Sequence, residues 1–135
     1  MAPPVLIWVL LAIGVAAALA TLVWGRKRNA RSERHLYAVI LIAMQALYLG
    51  FVIVQPSARG FAVEAAFLLM CWGLAAGGRR MALLLPVGYL FHGLWDLRHA
   101  TLLTEYVPSG YPEICVVYDW CLMLYFMTRL KAWSR

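Results

Sequence analysis

Apolar residues run through this chain in five long blocks, separated by short breaks rich in basic residues, glycine or proline. Val5–Trp24 is unbroken, entered through Pro3-Pro4 and closed by Gly25-Arg26-Lys27-Arg28. Leu36–Val54 has Gln45 as its one strongly polar side chain. Phe61–Ala76 is shorter and bracketed by Gly60 and Gly77-Gly78. Met81–Ala100 contains Pro86, Gly88 and Gly93 and gathers charges towards its end. Glu113–Leu130 follows Pro112, which suits a helix start because its missing N–H has no partner there anyway. A helix rises about 1.5 Å per residue, so roughly 20 apolar residues cross the ~30 Å hydrocarbon core of a bilayer. Each block meets or approaches that length. The pattern predicts an all-α, polytopic membrane protein: a single domain over residues 1–135, with a bundle of five transmembrane helices at about 5–24, 36–54, 61–76, 81–100 and 113–130.

Composition agrees. The chain is 64% hydrophobic and 13% charged, where soluble domains average about 45–50% and about 25%. Disorder is excluded by the same figures, since disordered chains are poor in apolar and aromatic residues. A net charge of +6 would point to nucleic acid in a soluble protein. Here the basic residues punctuate apolar runs, so no nucleic-acid partner is expected and membrane lipid is. The first run is not read as a signal peptide, because its positive charge follows the apolar stretch instead of preceding it.

Ten of the 12 Lys and Arg residues fall between runs one and two, between runs three and four, or at the C-terminal end. The other breaks keep only Arg59 and Arg98, and the loop Thr101–Pro112 has no basic residue. The positive-inside rule then places the N-terminus outside and the C-terminus in the cytoplasm. The expected location is the cell membrane, as a multi-pass protein of a bacterial inner membrane. Trp8, Trp24, Trp133 and Tyr37 near run ends suit an interfacial aromatic belt. Gly50, Gly73, Gly88 and Gly93 are expected to admit close helix approach.

Ionisable groups inside a membrane cost about 2.5–3.5 kcal/mol each at a helix centre, so they face a partner or a cavity. Run four reads Phe91-His92-Gly93-Leu94-Trp95-Asp96-Leu97-Arg98-His99. At about 100° per residue, His92, Asp96 and His99 share one helix face. In run five Cys115 and Asp119 lie one turn apart, and in run three Glu64 lies one turn after Gly60. The proposed topology sets Glu64, His92, Asp96, His99 and Asp119 in the same outer half of the bilayer, which predicts one site drawn from three helices. Each residue also has a plainer reading: Glu64 and His99 snorkelling to water, Arg98 anchoring at the interface, Asp96 and His92 pairing to fix helix packing. Gln45 and Tyr48 are placed to hydrogen-bond the cluster or to pack helices. Cys71, Cys115 and Cys121 have no metal-binding spacing.

The segment Gly88–His99, followed by Pro108 and by Cys115-Val116-Val117-Tyr118-Asp119, resembles a family of small bacterial integral-membrane proteins of unknown function. That family carries a His-x2-Trp-Asp-x2-His-like helix, a proline-containing loop and a Cys-x3-Asp helix start. The resemblance extends to Arg34-His35 and Glu64, and Arg98 departs from its pattern. It supports this choice of residues and implies no activity.

Two imidazoles and three carboxylates suit zinc, iron or manganese. The leading expectation is a metal-assisted enzyme acting on a lipid-soluble substrate, as hydrolase or oxidoreductase. Its ligands would be His92, His99, Asp96, Asp119 and Glu64, with one of the carboxylates Asp96, Asp119 or Glu64 acting catalytically. Trp95, Tyr118 and Cys115 would contact substrate. His92 and His99 stand about 10.5 Å apart along a helix axis, so two metals or a site completed in a homodimer would suit that spacing. A second expectation is metal-free acid–base chemistry, an isomerase or cyclase of lipids or isoprenoids. A third is metal-ion or proton binding and transport. The inner halves of the runs look free of ionisable residues, which predicts a cup open outwards with Thr101–Pro112 above it.

Overall fold

The computed structural model describes residues 3–102 and 104–135. They form α1 (Pro4–Arg26), α2 (Ala30–Val54), α3 (Ala58–Gly78), α4 (Leu84–Leu102) and α5 (Tyr111–Trp133), with no strand among the described residues. The all-α expectation holds, and each apolar block lies on its own helix.

Helix ends differ from the apolar blocks for local reasons. Before Leu36 the chain is polar, yet α2 already begins at Ala30, because the Asn29 side chain caps it by accepting from Ser32 N at 2.9 Å. Ser57 does the same for α3, accepting from Gly60 N at 3.0 Å. The fourth helix starts late: residues 81–83 form a tight turn, with Leu84 N donating to Met81 O and Leu85 N to Ala82 O. Gly110, at φ 88°, turns the chain into α5, and Pro112 sits in its first turn.

By length and composition, α1, α2 and α3 can each cross a membrane. The last two helices are more polar, because α4 carries His92, Asp96, Arg98 and His99, and α5 carries Glu113, Asp119, Arg129 and Lys131. The outside of the bundle is apolar. Val5, Trp8, Leu19 and Val23 on α1, Val54 on α2, and Leu69 and Trp72 on α3 are all exposed. That is the inverse of a soluble surface and marks a membrane protein.

Successive helices run antiparallel, and α1 returns to pack beside α5 in parallel. Leu10 lies against Gly110, Gly14 against Ile114, and Tyr118 Oη donates to Thr21 Oγ1 at 3.1 Å. We call the end where α1 and α5 begin the upper end. The core between α2, α4 and α5 holds Tyr37, Leu41, Leu85, Tyr89, Leu122 and Phe126. In lipid, packing and hydrogen bonding rather than escape from water bind such helices. Tyr89 Oη donating to Tyr37 O at 2.7 Å is one such bond. Gly88 admits Leu41, and Gly93 admits the Trp120 indole, as expected of close approaches. Gly50 and Gly73 face open space, which corrects that expectation for them.

The lower end, just before the second apolar run, also holds a buried ionisable group that the sequence reading did not single out. Glu33 is fully buried at the start of α2. It accepts from Tyr125 Oη at 2.6 Å, Arg129 Nη2 at 2.9 Å and Trp133 Nε1 at 3.0 Å, clamping α2 to α5. Arg34 donates to Trp133 O and Arg79 O, tying in the end of α3.

Candidate functional site

Helical periodicity puts His92, Asp96 and His99 on the face of α4 that packs into the bundle, and α5 brings Asp119 against it. From α2 come Gln45 and Tyr48, and from α3 comes Glu64. Glu64, His92, Asp96 and Asp119 are wholly buried and His99 is 1% exposed, so these groups meet one another and not solvent.

The deepest group is His92, Asp96 and Asp119. His92 Nδ1 lies 2.5 Å from Asp119 Oδ2 and 3.3 Å from Asp96 Oδ2. One ligand atom from each residue falls within 4.8 Å of the others. The far oxygen of Asp96, Oδ1, accepts from Tyr48 Oη at 2.6 Å. An imidazole Nδ1 carries at most one proton, and the nearer carboxylate takes it. Three buried atoms of this triad have no hydrogen-bond partner: His92 Nε2, Asp96 Oδ2 and Asp119 Oδ1. Two carboxylates beside one imidazole, with lone pairs unmatched, make an electron-rich pocket that a proton or a metal cation would relieve.

Glu64 and His99 form a separate group one turn higher. His99 Nε2 stands 3.0 Å from Glu64 Oε1, an ion-pair distance outside hydrogen-bond geometry. Tyr106 Oη donates to Oε1 at 2.7 Å. Gln45 Nε2 and Trp95 Nε1 donate to Oε2 at 2.8 and 3.0 Å. His99 Nδ1 pairs with Thr104 Oγ1 at 2.7 Å. Glu64 thus accepts three side-chain hydrogen bonds, and its role in the fold is to hold the upper loop through Tyr106. Tyr106 lies outside the helices, and burial together with the Glu64 carboxylate raises its phenol above the usual range. Tyr48 joins the two groups, its ring stacked on His99 at 4.7 Å while its hydroxyl serves Asp96.

The expectation of one cluster is therefore refined to two. His92, Asp96 and Asp119 converge, whereas Glu64 and His99 lie outside that set of mutually close ligand atoms. Trp95 stacks on Phe67 at 4.2 Å and donates to Glu64. Tyr118 turns its hydroxyl to Thr21 on α1, and Cys115 is a buried free thiol. Arg98 lies 4.8 Å above the Trp95 ring. The open cup is corrected too: a crevice of about 220 Å³ beneath the upper loop reaches His99, and the triad below it is sealed. Sequence reasoning missed Thr104 and Tyr106. They belong to an irregular loop with no periodicity, and only their closeness in sequence to His99 hinted at contact.

The family whose model matches the chain is described as "Family of unknown function (DUF6010)", and the match covers residues 7–132. No curated protein and no solved structure matches.

Proposed function

The chain belongs to this family, and we propose that it is a five-span membrane protein, N-terminus outside and C-terminus cytoplasmic, that binds a divalent metal at His92, Asp96 and Asp119 for chemistry on a lipid-soluble substrate. At about 1.5 Å per residue, the 19 residues of α4 extend about 29 Å and the 23 of α5 about 35 Å, so both can span despite their polar faces. His92, Asp96 and His99 of α4 and Asp119 of α5 are buried and turn inward, towards the site. The basic lower end agrees with a cytoplasmic location in a bacterial inner membrane.

One observation carries the metal assignment: three buried ligand residues, His92, Asp96 and Asp119, that each bring a ligand atom within 4.8 Å of the others. Ligand atoms about 2.0–2.1 Å from a tetrahedral zinc stand about 3.3 Å apart. His92 Nδ1 and Asp96 Oδ2 already stand at 3.3 Å, and Asp119 Oδ2 is close enough to open to that distance. Three protein ligands leave one position for water or substrate, the pattern of catalytic zinc, iron or manganese sites. Tyr48, bonded to the far oxygen of Asp96, would orient that ligand. Glu64 and His99 would support the site from above.

Metal-free acid–base chemistry is the second reading, and the 2.5 Å contact of His92 Nδ1 with Asp119 favours it. A carboxylate on Nδ1 orients the ring and leaves Nε2, which has no partner, to take or give a proton. Transport of protons or metal ions has less support, because apolar Leu41, Leu85, Leu122 and Phe126 lie between the triad and Glu33. Incubating the purified protein with a bacterial lipid extract, with and without chelator, separates the enzymatic readings by mass spectrometry. Product formation that chelator abolishes supports the metal enzyme. Formation that persists supports acid–base chemistry, and an extract left unchanged in both arms overturns the enzyme assignment.

A further inference from the structure

The lower end of the bundle carries a basic crevice that the proposed chemistry does not use. It measures about 590 Å³ and is lined by Asn29, Arg31, Ser32, Arg34, His35 and Arg79. Arg79 also borders an adjoining crevice with Arg80, Ala76 and Gly77. Neither has an acidic residue in its lining. The nearest carboxylate in sequence, Glu33, is fully buried and committed to Arg129, Tyr125 and Trp133, so it leaves the charge of the crevice unneutralised.

The crevice is also shaped in advance. Arg34 is held by the carbonyl oxygens of Trp133 and Arg79, which fixes its guanidinium without cancelling its charge. The side chains of Arg31 and Arg79 are exposed and form no ion pair among the described residues. Depth is indicated by Trp24 at the same end: it is exposed, with the Arg28 guanidinium 4.5 Å above its ring. A tryptophan and an arginine together at the end of an apolar helix mark the headgroup layer of a bilayer.

We infer that this crevice binds the phosphate of an anionic phospholipid headgroup, with Arg31 and Arg79 as its direct partners and Arg34 as the fixed charge behind them. Guanidinium groups recognise phosphate oxygens through paired N–H donors. Basic pockets between transmembrane helices at the cytoplasmic face are suited to acidic headgroups. A phosphodiester in the plane of the membrane meets the crevice at its own depth, whereas a soluble phosphate must come from bulk water. The inference rests on the membrane assignment alone and is independent of the metal site.

The test is native mass spectrometry of the full chain released from nanodiscs of mixed phosphatidylglycerol and phosphatidylcholine. Retention of phosphatidylglycerol in preference to phosphatidylcholine is expected. Arg31→Gln with Arg79→Gln should weaken that preference about 25-fold, at about fivefold per basic charge near the surface. Arg59→Gln, at the upper end, should leave it unchanged. Both substituted arginines are exposed, and unchanged thermal unfolding of the double variant confirms that it folds; should it unfold, each single variant is expected to show about fivefold. Equal retention of the two lipids, or a preference untouched by the substitutions, overturns the inference. Displacement of the lipid by millimolar inorganic phosphate would assign the crevice to the free anion and overturn the lipid assignment.

Discussion

His92 has one Nδ1 position and two carboxylates within reach of it, and that imbalance shapes the whole site. Asp119 is the nearer, and Asp96 takes its hydrogen bond from Tyr48 instead. Tyr48→Phe removes that donor while keeping the ring stacked on His99. We expect metal affinity to fall about 10–100-fold, the usual effect of losing a group that orients a ligand, with little change in unfolding temperature. Metal titration of the two proteins in detergent checks it. The Tyr106 phenol, raised by its burial, remains a donor to Glu64 at neutral pH. Its contribution to holding the upper loop is fully present below the ordinary tyrosine value of about 10 and is lost only as pH climbs through the raised one.

At the scale of elements, the five helices were legible because each apolar block is long and its breaks are short. The start of α2 was hidden, because Arg31, Ser32, Glu33 and Arg34 read as a loop until Asn29 is seen to cap them. Glu33 was hidden for the same reason: a lone acid in a basic segment looks solvated, and only the packing of α5 buries it. Glu33→Ala should cost about 3 kcal/mol by leaving Arg129 uncompensated and the Trp133 and Tyr125 donors unmet. Chemical unfolding in detergent micelles measures this, and the triad, separated from Glu33 by the apolar core, should bind metal as before. The common face of His92, Asp96 and His99 was readable from spacing alone. The division into two groups was not, since it depends on how α2 and α3 are set against α4: Tyr48 enters between His92 and His99, and Gln45, Trp95 and Tyr106 enclose Glu64.

For the whole molecule, an apolar exterior follows from the bilayer as solvent, and the proposed topology sets the basic lower end in the cytoplasm. A C-terminal green fluorescent protein fusion should fluoresce, as it does only when folded in the cytoplasm. An N-terminal cysteine tag should react with an impermeant thiol reagent added to intact cells. Labelling of a C-terminal tag instead would reverse the topology and place the triad in the inner half.

Metal content of the detergent-purified protein tests the central claim most directly, measured by elemental analysis beside Asp96→Asn, Asp119→Asn and Glu64→Gln. The triad predicts stoichiometric zinc, iron or manganese in the wild type, lost in both aspartate variants and kept in Glu64→Gln, whose site is separate. A folded wild-type protein that stays metal-free after reloading, or metal that survives both aspartate substitutions, would contradict it.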